Sequence, residues 1–171
     1  MNPFIRKDDD DNRLDIKATL TIFVLVAIVV ATGLLKYHQA GFGKGTVTIG
    51  DGPAIPVLVA ASDATREKGL SGRKEMDADS GMLFLFATAS KYKFWMKGME
   101  IPLDAVWMRD GEIVDITIGI APPVEGEEIP FFSPVTEADS VLEVPAGFAA
   151  RHGLKLGLPV KFDIDRRGAL R

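Results

Sequence analysis

The chain has 171 residues, of which 47% are hydrophobic and 26% charged, and its net charge is −4 at pH 7. This length accommodates one folded domain and a separate apolar segment. Cysteine is absent, which excludes disulfides, thiolate nucleophiles and cysteine-ligated zinc. Acidic residues outnumber basic ones and no basic stripe follows the chain, so we expect no nucleic-acid partner.

The most apolar segment runs from Ala18 to Leu35 and carries no charge. A helix of this length spans roughly 27 Å, close to the hydrocarbon thickness of a bilayer. A cleaved signal peptide usually has a shorter apolar region and a small-residue cleavage site, and a buried core helix has an amphipathic stripe that is missing here. The pattern favours an uncleaved transmembrane helix over residues 18–35.

Basic residues on the two sides of this segment predict its orientation. Four precede it and two follow it closely: Arg6, Lys7, Arg13 and Lys17, then Lys36 and Lys44. Because cytoplasmic flanks carry the excess of Lys and Arg, we predict a single-pass protein of the cell membrane with its C-terminal domain outside the cytoplasm. Residues 1–17 then form a short cytoplasmic tail, 36–45 a Gly-rich linker and 46–171 the folded domain.

The sequence after the linker is typical of a mainly β fold. Short runs of β-branched and aromatic residues predict strands at 46–49, 55–60, 82–86, 93–97, 103–109, 112–119, 140–144 and 159–164. Asp110-Gly111 predicts a type I′ hairpin turn. A short helix is expected over 63–68, with Asp63 as its N-cap, and another over 145–152. The pattern indicates a compact β-barrel or a two-sheet sandwich with two short helices.

The segment Lys91 to Lys97, KYKFWMK, alternates between two faces if it is a strand. One face is apolar and predicted to be core: Tyr92, Phe94 and Met96. The other face places Trp95 among lysines. Lysine stems that cover the indole through a cation–π contact explain this pattern, and so does an aromatic platform for a sugar or an anionic group.

Asp104 shares its predicted strand face with Val106 and Met108, so its carboxylate needs a partner. The candidate cations are Lys97, Lys93 and Arg73. Two hypotheses stay open: Asp104 binds turn N–H groups and a cation for structural reasons, or it is a carboxylate with a perturbed pKa in a cleft. We predict that Trp95, Lys97 and Asp104 form one partly exposed cluster.

Other chemistry in the sequence is sparse. His152 is the one histidine of the domain, and its place at a predicted helix end suits a cation at the negative end of the helix dipole. One histidine without cysteine argues against a zinc site, and no G-x-S-x-G or phosphate-binding spacing is present. We expect no metal and no cofactor. The long connection 121–134 contains three acidic residues and is predicted to be a solvated loop.

Several motifs of this domain resemble one family when they are taken in order. They are GLSGR (69–73), GMLFLF (81–86), FWMK (94–97), IPLDAVWM (101–108), APP (121–123) and VLEVPAGFAARHGLKLG (141–157). The sequence resembles the domain of unknown function 192 family over about Ile55 to Phe162. The resemblance implies a small β-rich fold, frequently secreted or membrane-anchored in bacteria and archaea, without an established activity. The family's shared polar and aromatic positions map onto Arg73, Trp95, Lys97, Asp104 and Glu143.

These observations lead to three functional hypotheses. The first is a membrane-tethered extracytoplasmic binding or accessory module of the cell envelope, with an envelope glycan or a membrane protein as its partner. The alternative is a hydrolase that uses Asp104 with Glu143, or with a loop glutamate, as an acid/base pair on an envelope glycan or small molecule. The third is a purely structural partner of a membrane protein. The candidate ligand-binding residues are Arg73, Trp95, Lys97, Asp104 and Glu143.

Overall fold

The computed structural model describes the backbone of residues 9–39 and 41–164, with the side chains of 16, 18–32 and 41–164. The first eight residues of the predicted tail, Ala40 of the linker and residues 165–171 of the predicted domain lie outside the described part. The chain divides into two units, Met1–Ala40 and Gly41–Arg171.

In the first unit, the described residues form a helix, α1, Asp9–Gln39. The side chains over 18–32 are exposed all around this helix, including Phe23 and Val29. No helix within the described residues combines the length and the apolarity that a membrane crossing requires. The transmembrane helix predicted over 18–35 stays a prediction.

The second unit is built on a seven-stranded sheet in the order β6-β5-β8-β3-β2-β1-β9. Its strands are β1 Gly43–Ile49, β2 Ala54–Ala60, β3 Gly81–Ser90, β5 Leu103–Arg109, β6 Glu112–Ile120, β8 Ala138–Pro145 and β9 Val160–Ile164. The β2–β3 pair is parallel and the other pairs are antiparallel. A second sheet pairs β4, Phe94–Trp95, with β7, Phe131–Phe132. The short helices are α2, Asp63–Lys68, and α3, Phe148–Arg151.

The large sheet curls until its two edge strands meet at one end. A β-bridge joins Glu112, at the start of β6, to Pro159, just before β9. The Val160 N–H donates to the Gly111 carbonyl at 2.7 Å, and the Ile113 N–H donates to the Leu158 carbonyl at 3.1 Å. These contacts pair backbone groups that an open edge would leave exposed. The prediction of a mainly β fold is confirmed, in the form of a curled half-barrel sheet with few short helices.

The sheet buries both of its faces. The inner face, which the curl encloses, carries an apolar cluster drawn from all seven strands, with Val57 and Val106 among its members. The outer face carries a second cluster that includes Phe84 and Trp107. Because side chains alternate between faces along a strand and both faces are covered, the interior strand β5 is buried at six consecutive positions. Consecutive residues along β5, and likewise along β8, therefore belong to different cores.

Local sequence signals account for most of the turns and helix ends. Asp110 and Gly111 both have positive φ, 52° and 79°, as the predicted type I′ turn requires. The helix predicted over 63–68 is present, but its N-cap is Ser62, which forms a capping box with Thr65. The helix predicted over 145–152 is shorter, because β8 continues to Pro145.

The predicted loop 121–134 contains a short, unpredicted strand. Phe131 and Phe132 form β7, which pairs with Trp95 and Phe94 of β4. A two-residue strand lacks the alternating pattern on which strand prediction depends.

Candidate functional site

The outer face of the domain contains a cavity of about 400 Å³. This volume is in the range of small-molecule sites, roughly 300–1,000 Å³. Its lining residues come from α2 and the turn after it, β3, the chain around β4, and single positions of β5 and β8. They are Asp63, Arg66, Glu67, Lys68, Gly69, Leu70, Ser71, Phe84, Phe86, Tyr92, Lys93, Phe94, Trp95, Met96, Met99, Leu103 and Glu143.

Two hydrogen bonds fix the turn after α2 against the turn after β4. The Ser71 hydroxyl donates to the Lys97 carbonyl at 2.7 Å, and the Gly72 N–H donates to the Gly98 carbonyl at 2.7 Å. Gly98 has a φ of +68°, which residues with a β-carbon rarely adopt. The glycine thus lets the chain reverse next to Met99, which lines the cavity.

Aromatic side chains make up much of the cavity wall. Phe84 meets Phe94 edge to face, with ring centroids 5.1 Å apart, and Phe86 stacks on Tyr92 at 3.6 Å. The alternation of residues 91–97 predicts Tyr92, Phe94 and Met96 as core residues without a function. Met96 is buried and the two aromatic residues are half-buried, but all three line the cavity.

Glu143 is the polar group of the cavity floor. It lies on β8 opposite Ala105 on one side and Met82 on the other, and it is 5% exposed. No hydrogen bond or ion pair reaches its carboxyl group from any described residue, yet no fully enclosed side-chain oxygen among these residues lacks a partner. The carboxyl oxygens therefore reach the cavity. Burial without a compensating partner raises the pKa of Glu143 to about 8.

The cavity mouth carries charges of both signs. Arg66 is committed to structural contacts, because it donates to the Ala61 and Leu85 carbonyls at 2.6 and 2.8 Å and pairs with Asp63. The other charged residues at the mouth are Glu67, Lys68 and Lys93. Lys93 lies over the Phe131 ring at 4.1 Å, and Lys68 lies over the Phe42 ring at 5.5 Å.

Trp95 and Lys97 lie together, as predicted. The Lys97 ammonium is 5.4 Å from the centroid of the Trp95 ring, and Trp95 lines the cavity mouth with 42% of its surface exposed. Lys97 is exposed and does not line the cavity. Arg73 is half-buried; its backbone N–H donates to the Leu70 carbonyl at 3.2 Å, and its side chain is not part of the lining.

Asp104 belongs to the inner core and not to this cluster. It is 1% exposed. Its Oδ1 accepts from the Gly119 N–H at 2.9 Å and its Oδ2 accepts from the Ala149 N–H at 3.0 Å. No ion pair between Lys97 and Asp104 is found in the described part of the chain, so the three-residue cluster was a wrong prediction. The partners of the Asp104 carboxylate are backbone N–H groups of β6 and α3, and not the predicted cation.

Asp104 and Glu143 lie on opposite faces of the sheet. Asp104 pairs with Val144, and Glu143 pairs with Ala105; cross-strand partners share a face. The acid/base pair of the hydrolase hypothesis therefore does not face one cavity. The glutamates of the loop 121–134 are not part of the cavity lining. Within residues 16, 18–32 and 41–164, no group of three or more His, Asp or Glu side chains is arranged to hold a metal.

Comparisons with known proteins agree with the fold. The family model DUF192, described as uncharacterized ACR, matches residues 46–162. No curated protein matches the chain. Among solved structures, the chain is similar to a provisionally assigned transcription regulator from Sinorhizobium meliloti 1021, with 28% identity and a TM-score of 0.65 over 71% of this chain and 95% of that one. It is also similar to a protein of unknown function from Novosphingobium aromaticivorans DSM 12444, with 29% identity and a TM-score of 0.60 over 70% of this chain and 84% of that one.

The two backbone hydrogen bonds of Asp104 predict a structural role for its carboxylate. Asp104→Ala leaves the buried Ala149 N–H and the partly buried Gly119 N–H without an acceptor, so the free energy of unfolding should fall by roughly 2–5 kcal/mol. Urea denaturation followed by circular dichroism measures this change. Asp77→Ala, at an exposed position, is the control and should change stability by less than about 0.5 kcal/mol. Equal stabilities of the two variants would contradict the structural role.

The raised pKa of Glu143 predicts a specific pH dependence of stability. The folded chain holds this proton up to pH of about 8, whereas the unfolded chain releases it near the ordinary value of 4.5. The stabilisation that this proton gives the folded chain is thus complete below the unfolded-state pKa of 4.5. It is lost, at about 1.4 kcal/mol per pH unit, as the pH rises from that value to the folded-state pKa of about 8.

Glu143→Gln removes this titration. The difference in unfolding free energy between the variant and the wild type should therefore increase in favour of the variant from pH 5 to pH 8. Glu128→Gln, in an exposed loop, should follow the wild type. A Glu143→Gln profile parallel to the wild type would show that the carboxyl titrates normally.

Proposed function

The chain belongs to the DUF192 family of uncharacterized proteins, and from the cavity of its folded domain we propose that it is a binding module for a small organic molecule, tethered to the cell membrane. Two features support the binding role: an aromatic-lined cavity of about 400 Å³ and an acidic side chain at its floor.

The unpartnered carboxyl of Glu143 is the observation that carries this proposal. Burial of a carboxyl group without a hydrogen-bond partner costs free energy. Two backbone N–H groups offset this cost at Asp104, whereas none of the described residues offsets it at Glu143. Local departures of this kind are typical of functional sites. A ligand that donates a hydrogen bond to the Glu143 carboxyl would offset the free-energy cost of burying it.

Exposed aromatic and basic side chains beside the cavity mouth form a second candidate contact surface. Trp95 and Phe131 are both exposed and are adjacent in the β4–β7 pair, and the Lys97 and Lys93 ammonium groups lie over their rings. We propose this surface as the place where an envelope glycan or a membrane-protein partner contacts the domain, because aromatic faces next to charge suit both. Nucleic acid is not among the proposed partners.

The tether is proposed from α1. Its side chains over 18–32 are apolar with few exceptions and exposed on every side, and a helix that is apolar all round requires an apolar environment. We extend the proposed span to Leu35 on the sequence. The Lys and Arg excess before it supports a cytoplasmic N-terminus and an extracytoplasmic binding domain.

A fragment titration tests the binding role. The full chain, reconstituted in lipid nanodiscs, should bind aromatic fragments in saturation-transfer NMR, and Trp95→Ala should weaken the best fragment about 2- to 10-fold through the lost ring contact. Leu156→Ala removes an apolar side chain that is also exposed, at 64% against 42% for Trp95, and lies away from the cavity; it should leave the affinity unchanged. The proposal fails if no fragment binds, or if Trp95→Ala and Leu156→Ala give the same affinity.

The tether makes an independent prediction about location. A phosphatase fused after Arg171 should be active outside the cytoplasm, and the fusion should remain with membranes in alkaline carbonate because the apolar helix stays in the bilayer. Deletion of residues 1–35 should release the fusion from the membrane fraction. Activity confined to a cytoplasmic reporter would overturn the orientation, and full extraction by carbonate would overturn the tether.

A further inference from the structure

We infer that the cavity takes an organic cation, with an ammonium group of the ligand held between the Glu143 carboxylate and the inner aromatic rings. This inference rests on the proposed binding function and adds the chemical class of the ligand. Five aromatic side chains line the cavity, namely Phe84, Phe86, Tyr92, Phe94 and Trp95. Aromatic walls with one carboxylate are suited to ammonium groups, which ring faces attract electrostatically.

The outer rings of the cavity are already occupied by cations of the protein. The Arg66 guanidinium lies over Phe86 at 5.2 Å, and the Lys97 ammonium lies over Trp95 at 5.4 Å. The inner rings, Phe84 and Phe94, have no cation from the described residues. Phe84 is itself buried and meets Phe94 edge to face.

The chemistry of the floor selects among ligand classes. An anionic ligand group would lie next to the Glu143 carboxyl, which has no ion-pair partner among the described residues to offset the repulsion. A wholly apolar ligand group would leave the carboxyl without a hydrogen-bond partner. An ammonium group supplies both a hydrogen-bond donor and a compensating charge. When it binds, the Glu143 carboxylic acid loses its proton to solvent, and the resulting carboxylate pairs with the ammonium group, which keeps all of its own protons.

Proton release gives the inference a measurable signature. The charged and titratable groups that face Glu143 across the cavity are those of α2 and of the chain before β4: Asp63, Arg66, Glu67, Lys68, Tyr92 and Lys93. From β3 and β5, the described residues present apolar groups such as Phe84 and Leu103. Because burial raises the pKa of Glu143 to about 8, cation affinity should rise about tenfold per pH unit below that value and level off above it.

The experiment compares two probes of the same shape on the full chain in nanodiscs. Phenethylammonium carries the cation, and 2-phenylethanol replaces the ammonium group with a hydroxyl. Isothermal titration at pH 6, 7 and 8 should show phenethylammonium affinity rising about tenfold between pH 6 and pH 7, with one proton released, and a near-constant 2-phenylethanol affinity up to pH 7. Empty nanodiscs correct for partition into lipid.

Variants separate the role of the carboxyl from general packing. Glu143→Gln should weaken phenethylammonium at least tenfold at pH 8 while 2-phenylethanol changes less than about twofold. Glu128→Gln, outside the cavity, should leave both probes unchanged. If Glu143→Gln does not fold, the pH dependence of the two probe affinities in the wild type still tests the inference.

The outcomes separate this inference from the function on which it rests. Equal, pH-independent binding of the two probes, or binding of 2-phenylethanol alone, overturns the cation and leaves the binding module in place. Failure of both probes while other aromatic fragments bind also overturns the cation. Failure of every fragment overturns the binding module itself.

Discussion

Burial of both faces of the interior strands β5 and β8 is the constraint on which the rest of the domain depends. Side chains alternate between the faces of a strand, so consecutive residues here enter different cores. Val144 enters the inner core and Glu143 enters the outer one. The curl of the sheet closes the inner core on itself. The outer core is completed by α2, β4 and β7, and the cavity lies where these short elements leave space.

Because of this constraint, two buried carboxyl groups on these strands lie in different environments. Asp104 points to the inner core, where Gly119 and Ala149 each supply a backbone N–H. These bonds hold the last residues of β6 and the start of α3 against β5, so this carboxylate organises the fold. Glu143 points to the outer cavity and receives no bond from the described residues, so its free energy depends on what enters the cavity. The same chemical group is structural on one face and open to a ligand on the other.

The sequence was sufficient for the elements whose signals are local. The strand 103–109, the helix 63–68 and the Asp110-Gly111 turn agree with the structure, because alternation, capping and positive φ act over a few residues. The pairing of β4 with β7 joins segments more than thirty residues apart, and no short pattern encodes it. Phe94 does pack against the outer core, but its assignment and that of Tyr92 to the core missed the cavity that they line, since period 2 shows a shared face but not whether a cavity lies against it.

The site could be predicted only in part. Apolar neighbours on its strand showed that Asp104 is buried, but its partners come from β6 and α3, distant positions that only the fold brings close. Glu143 was named through the family resemblance. A residue-level signal for it exists in the sequence VLEV, in which a glutamate interrupts an apolar run of the kind that strands buried on both faces show.

The ionisation of Glu143 is the most direct measure of this account. Carbon-13 NMR of the side-chain carboxyl groups, with the Glu143 resonance assigned by its loss in Glu143→Gln, follows the titration in the ligand-free chain. We expect a midpoint near 8, and a shift to the ionised form at pH 7 when phenethylammonium is bound. A midpoint near 4.5, the ordinary value for glutamate, would show that the carboxyl is hydrated or partnered and would contradict the account.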